Sequence, residues 1–131
     1  MGTVPLLTDE AASPEARAVL DDIRAKRQTE HVNNFWRALA HDPGQMRELW
    51  ERVQAVMAPG ALDPLVKELV YVAVSAANGC AYCVHSHTAA ARAKGLTPAM
   101  HAELLQVIGL ASRTNALAQA LGVEVDEAFR A

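Results

Sequence analysis

A chain of 131 residues has room for one domain built on a single hydrophobic core. Apolar residues make up 51 % and aromatics 5 %, which suits close packing of alanine-rich helices, and a net charge of -3 offers no general attraction for nucleic acid or an anionic membrane. No run of eighteen apolar residues occurs, and MGTVPLLTDEAASPE lacks the charged and apolar regions of a signal peptide, so a cytoplasmic protein without membrane association is expected.

Residues 1–12 read as an irregular lead. Ser13-Pro14-Glu15 then opens a helix, and Ala16, Val19, Leu20 and Ile23 keep helical spacing to about Gln28. The charges on its other face, Asp21, Asp22, Arg24, Lys26 and Arg27, are expected in solvent. A short helix follows over 33–40. Asp42-Pro43 starts another that runs to about Met57, with Met46, Leu49, Trp50, Val53 and Met57 inward. Phe35, Trp36 and Trp50 are core side chains first and substrate-pocket candidates second, because aromatics bury so much area.

Pro59-Gly60 marks a turn. Asp63-Pro64 opens a helix that is apolar almost all round, from Leu65 to Ala77, and such a helix should be buried against several neighbours. Asn78-Gly79 closes it, and a second helix should run from about Cys80 to Lys94, with Gly95 as its stop and Arg92 and Lys94 complementing its negative end. Thr97-Pro98 restarts the chain as a long helix to Gly122, and the acidic tail from Val123 is expected to be partly ordered. No strand alternation or internal repeat survives, so the fold class is all-α.

The two cysteines, Cys80 and Cys83, form a C-x-x-C in the first turn of a helix, where unpaired amides and the helix dipole favour a thiolate. His87 lies four residues beyond Cys83, on the same face. Because the Asn-Gly turn makes the helices antiparallel neighbours, Glu68, about 15 Å below the turn, is nearly level with His87, about 10 Å below it. A glutamate in an apolar helix needs a partner, and His87 supplies one; oriented by Glu68, His87 can draw a proton from the thiols. A structural zinc site would need two further ligands that one helical turn cannot arrange tetrahedrally, so no metal is assigned. His31, His41, His85 and His101 fall outside this constellation.

Glu68, its spacing to Cys80, the C-A-Y-C core, His87 and the following TAAARAKGL resemble the core motif of the alkylhydroperoxidase D (AhpD) family within the carboxymuconolactone decarboxylase superfamily. FWRALAHDPG upstream and LAQALGVEVDE downstream are similar to peroxidase-related members. The resemblance implies a single AhpD-like helical domain over 1–131, with its core at about 13–122 and its motif, on a central helix hairpin, at 68–87. It implies a thiol peroxidase acting on hydrogen peroxide or organic hydroperoxides, with Cys83 as attacking cysteine, Cys80 as resolving cysteine, and Glu68 with His87 as proton relay. No metal, flavin or haem is implied; a lipoyl- or thioredoxin-type dithiol as reductant and a homo-oligomer, trimer or hexamer, are. Some members carry a histidine where this chain has Tyr82, which either packs, walls the site or offers its hydroxyl to a peroxide. A thioredoxin-like assignment makes Cys80 the attacker instead, in a protein disulfide oxidoreductase or redox sensor. The superfamily's lactone decarboxylases generally lack the cysteine pair, so its presence argues against that activity.

Overall fold

The computed structural model of the chain describes residues 2–130, which carry six α-helices and a short 3-10 turn. They fall into two compact units that divide between residues 58 and 59.

The first unit contains α1 (Pro14–Arg27), α2 (Asn34–Leu39) and α3 (Pro43–Met57), with α1 and α2 both packed on α3. Ser13 and Asp42 accept from the amides of Ala16 and Gln45, and a proline follows each, so these starts are fixed locally. The core joins Ala16, Val19, Leu20 and Ile23 of α1 to Val32, Trp36, Ala40, Met46 and Trp50. Trp36 meets Trp50 edge to face at 5.5 Å, and the Trp50 indole N–H donates to Asp22 at 2.7 Å. Leu49, expected inward, lies exposed on α3.

Two features depart from the sequence reading. The lead is irregular but clamped: Asp9 accepts from Arg24 at 2.7 and 2.8 Å and from Arg37 at 3.1 Å, Arg37 also donates to the Leu7 carbonyl, and the His41 ring bonds the Pro5 carbonyl. Arg24, expected in solvent, is therefore mostly covered. The guanidinium of Arg24 holds the Asp9 carboxyl below the usual range, against the opposing effect of burial.

The second unit contains α4 (Pro64–Ala77), α5 (Ala81–Ala93) and α6 (Pro98–Leu121), followed by the 3-10 turn Glu127–Phe129. The helices α4 and α5 form an antiparallel hairpin through Asn78 and Gly79, whose φ of 72° is open to glycine at no steric cost, and α6 packs on α4. The expectation that α4 is buried all round is corrected: Glu68, Val72 and Ser75 are buried, whereas Val66, Val70 and Val74 are exposed, because α5 and α6 cover only part of its circumference. None of the residues of α6 is buried, and Leu105, Val107, Leu110, Leu117 and Leu121 are open to solvent. Among the described residues no helix is long and apolar enough to cross a membrane.

Candidate active site

The site is assembled by the α4–α5 hairpin. Glu68 is 5 % exposed, and its two oxygens are divided between two partners: Oε2 lies 2.7 Å from Nδ1 of His87, and Oε1 accepts from Nζ of Lys94 at 3.2 Å. Burial alone would push the Glu68 carboxyl up, but the hydrogen bonds from His87 and Lys94 outweigh it and hold the group below its ordinary range. An ionised carboxylate can only accept, so the hydrogen in the His87 bond is carried by Nδ1, and Nε2 is the ring nitrogen turned away from Glu68. The ring of Tyr71 stacks on His87, with centroids 3.5 Å apart and planes inclined by 19°. Burial raises the Tyr71 hydroxyl above its usual range, and its electrostatic interactions with the acidic groups of Cys83, Glu68 and Cys80 add to the effect.

Cys80 is the N-cap of α5, and its sulfur accepts from the Cys83 amide at 3.3 Å. Both cysteines are free and partly covered. A hydrogen bond from the Cys83 thiol, then the Cys83 amide, lowers Cys80; the same thiol bond, then burial, raises Cys83. The bond between the two thiols thus favours a negative charge on Cys80 over one on Cys83.

The hairpin brings Glu68, His87, Cys80 and Cys83 onto adjoining turns of two helices. Sharing a face does not give Cys83 and His87 a bond: among the described residues His87 bonds Glu68, and no hydrogen bond joins its ring to either sulfur. Tyr82 is 44 % exposed in the first turn of α5. Trp36 is 3 % exposed and belongs to the core of the first unit, packed between Phe35 and Trp50. His31, His41 and His85 are exposed, and no group of three or more His, Cys, Asp or Glu gathers as a metal site among the described residues.

Two residues of the site were missed in the sequence. Tyr71 follows Glu68 by three positions and Lys94 follows His87 by seven, so both helical spacings placed them on the site face.

Residues 44–124 match the Carboxymuconolactone decarboxylase family. The chain is similar to an alkyl hydroperoxide reductase AhpD of Solibacter usitatus, 41 % identical over 75 residues, a stretch that is 57 % of this chain and 40 % of that protein's length. It is also similar to the crystal structure of the alkylhydroperoxidase AhpD core of Rhodospirillum rubrum, at 58 % identity and a TM-score of 0.96 over 100 % of this chain and 98 % of the other. On its matched residues and its all-helical architecture, the chain belongs to the carboxymuconolactone decarboxylase family, as an AhpD-like member.

Proposed function

We propose that the protein is a thiol-dependent peroxidase that reduces hydrogen peroxide or an organic hydroperoxide through Cys83 and Cys80. The observation that carries this reading is the pair itself: two free thiols in one helical turn, one of them bonded by the other's amide, beside a histidine anchored to a buried carboxylate. The named activity of the Solibacter and Rhodospirillum relatives supports it.

In this reading Nε2 of His87 accepts the Cys83 proton, and the Cys83 sulfur attacks the O–O bond of the peroxide. The O–O bond breaks, Cys83 becomes a sulfenic acid, and the departing alkoxide or hydroxide takes the proton back from His87. Cys80 then attacks the Cys83 sulfur, an S–S bond forms as the S–O bond breaks, and the departing hydroxide takes a proton from solvent to become water. An external dithiol of lipoyl or thioredoxin type reduces the disulfide in a reducing cytoplasm. The exposed apolar residues of α6 support a homo-oligomer, a trimer or hexamer, in which copies of the chain cover one another; sedimentation as a monomer at micromolar concentration counts against it.

One observation favours a second reading. The Cys83 thiol and amide lower the pKa of Cys80, the cysteine at the helix start, and that direction suits a disulfide oxidoreductase in which Cys80 attacks a partner's disulfide. Counting free thiols before and after a stoichiometric hydroperoxide pulse separates the two, in the native protein and in the Cys80→Ser and Cys83→Ser variants. Loss of both native thiols within seconds, with a sulfenic acid trapped at Cys83 in Cys80→Ser, is the peroxidase result. Thiols that persist for minutes yet exchange readily with a protein disulfide overturn it.

A further inference from the structure

We propose that Lys94 is a positioning residue of this site: it holds Glu68 as an oriented carboxylate, so that the second oxygen of Glu68 fixes His87 with Nε2 as its basic nitrogen. The inference deepens the peroxidase reading and rests on it for its activity readout.

The Glu68 carboxylate is divided. Its Oε2 serves His87 and its Oε1 serves Lys94, so two donors hold the group from two directions and fix its rotation. A buried carboxyl left to itself would take up a proton, and a protonated group would no longer be a pure acceptor for the Nδ1–H of His87. The charged and titratable groups that face Glu68 are His87 and Lys94 from the α5 side and Tyr71 from its own helix. The helix α6, also packed on α4, sends no ion pair to Glu68 among the described residues.

Lys94 is itself held in place. It caps α5 in a Schellman closure: the Leu96 amide donates to the Ala91 carbonyl at 3.0 Å, the Gly95 amide to that of Arg92 at 3.1 Å, and Gly95 takes a φ of 106°. Leu96 is buried and pins the turn. The Lys94 backbone therefore has one direction, and its ammonium, 39 % exposed at the side chain, is aimed at Glu68 by the way the helix ends.

The test compares Lys94→Met and Lys94→Gln, which remove the charge, with Lys94→Arg, which restores it. The first readout is the titration of the Glu68 carboxyl by 13C NMR; the second is the pH profile of hydroperoxide-driven thiol loss. In both uncharged variants the Glu68 midpoint and the acid limb of the profile should move up together, by about one unit, and Lys94→Arg should bring both back. An unmoved Glu68 titration in Lys94→Met and Lys94→Gln overturns the proposal. If the native protein loses no thiols to hydroperoxide, the peroxidase reading falls, while the carboxyl titration still decides on Lys94.

Discussion

Glu68→Gln tests the centre of the site with little change of volume, so no cavity contribution enters. The glutamine offers one acceptor oxygen in place of two and a donor NH2 group. If the oxygen keeps the His87 bond, the NH2 group faces the Lys94 ammonium; if it keeps Lys94, it faces the Nδ1–H. One charge-assisted hydrogen bond is lost in a location that is 5 % exposed, and such a bond contributes about 1.5–3 kcal/mol. The Lys94 side is partly open, so water replaces much of what is lost there and its contribution is discounted to below about 1 kcal/mol. The sum is about 2 kcal/mol, or a fall in Tm of about 6–10 °C for a chain of this size. The sign with pH follows from the direction of the shift. The folded-state carboxyl lies below its unfolded value, so its stabilisation is complete above the unfolded value of about 4.3 and fades as pH falls through the folded-state range. Thermal melts by circular dichroism at about pH 7 and about pH 3 should therefore show a gap between native protein and variant that narrows in acid. A gap of the same size at both values, or none at neutral pH, would refute the assignment of Glu68 as a buried ionised carboxylate.

The stack on His87 predicts that Tyr71→Phe keeps the rate of hydroperoxide-driven thiol loss within about threefold, whereas Tyr71→Leu slows it about tenfold, the equivalent of about 1.4 kcal/mol of ring–ring contact; equal rates in the two variants would remove Tyr71 from the site. Asp9→Asn should lower stability by about 1 kcal/mol, measured by urea denaturation, less at high salt, and leave the thiol chemistry unchanged. Asp9 is also held below its unfolded value, so this gap too should be present at neutral pH and close as the carboxylate is protonated.

Much of the architecture could be read locally. Ser13, Asp42, Asp63 and Thr97 each stand before a proline and each caps a helix, while Gly79, Gly95 and Gly122 adopt positive φ where helices end. Counting residues from the Asn78-Gly79 turn placed Glu68 opposite His87, which is where the 2.7 Å bond lies. What escaped depends on direction and distance. Lys94 looked like a cation at a helix end, and only the closure of α5 at Gly95 aims it at Glu68. The Asp9 clamp joins residues 15 and 28 positions apart, with no local pattern to announce it. Periodicity identified α4 and α6 as apolar but carried no information on how much of each surface this chain covers by itself.

Four helices begin on a side-chain oxygen followed by proline, and α5 begins on a sulfur without one. An oxygen cap is chemically inert under redox conditions; a sulfur cap is a reagent. In the proposed cycle, oxidation to a Cys80–Cys83 disulfide would take thiol character from the atom that receives the Cys83 amide and so weaken that bond. Amide exchange at Cys83 would then report the redox state of the pair, slower when it is reduced and faster when it is oxidised.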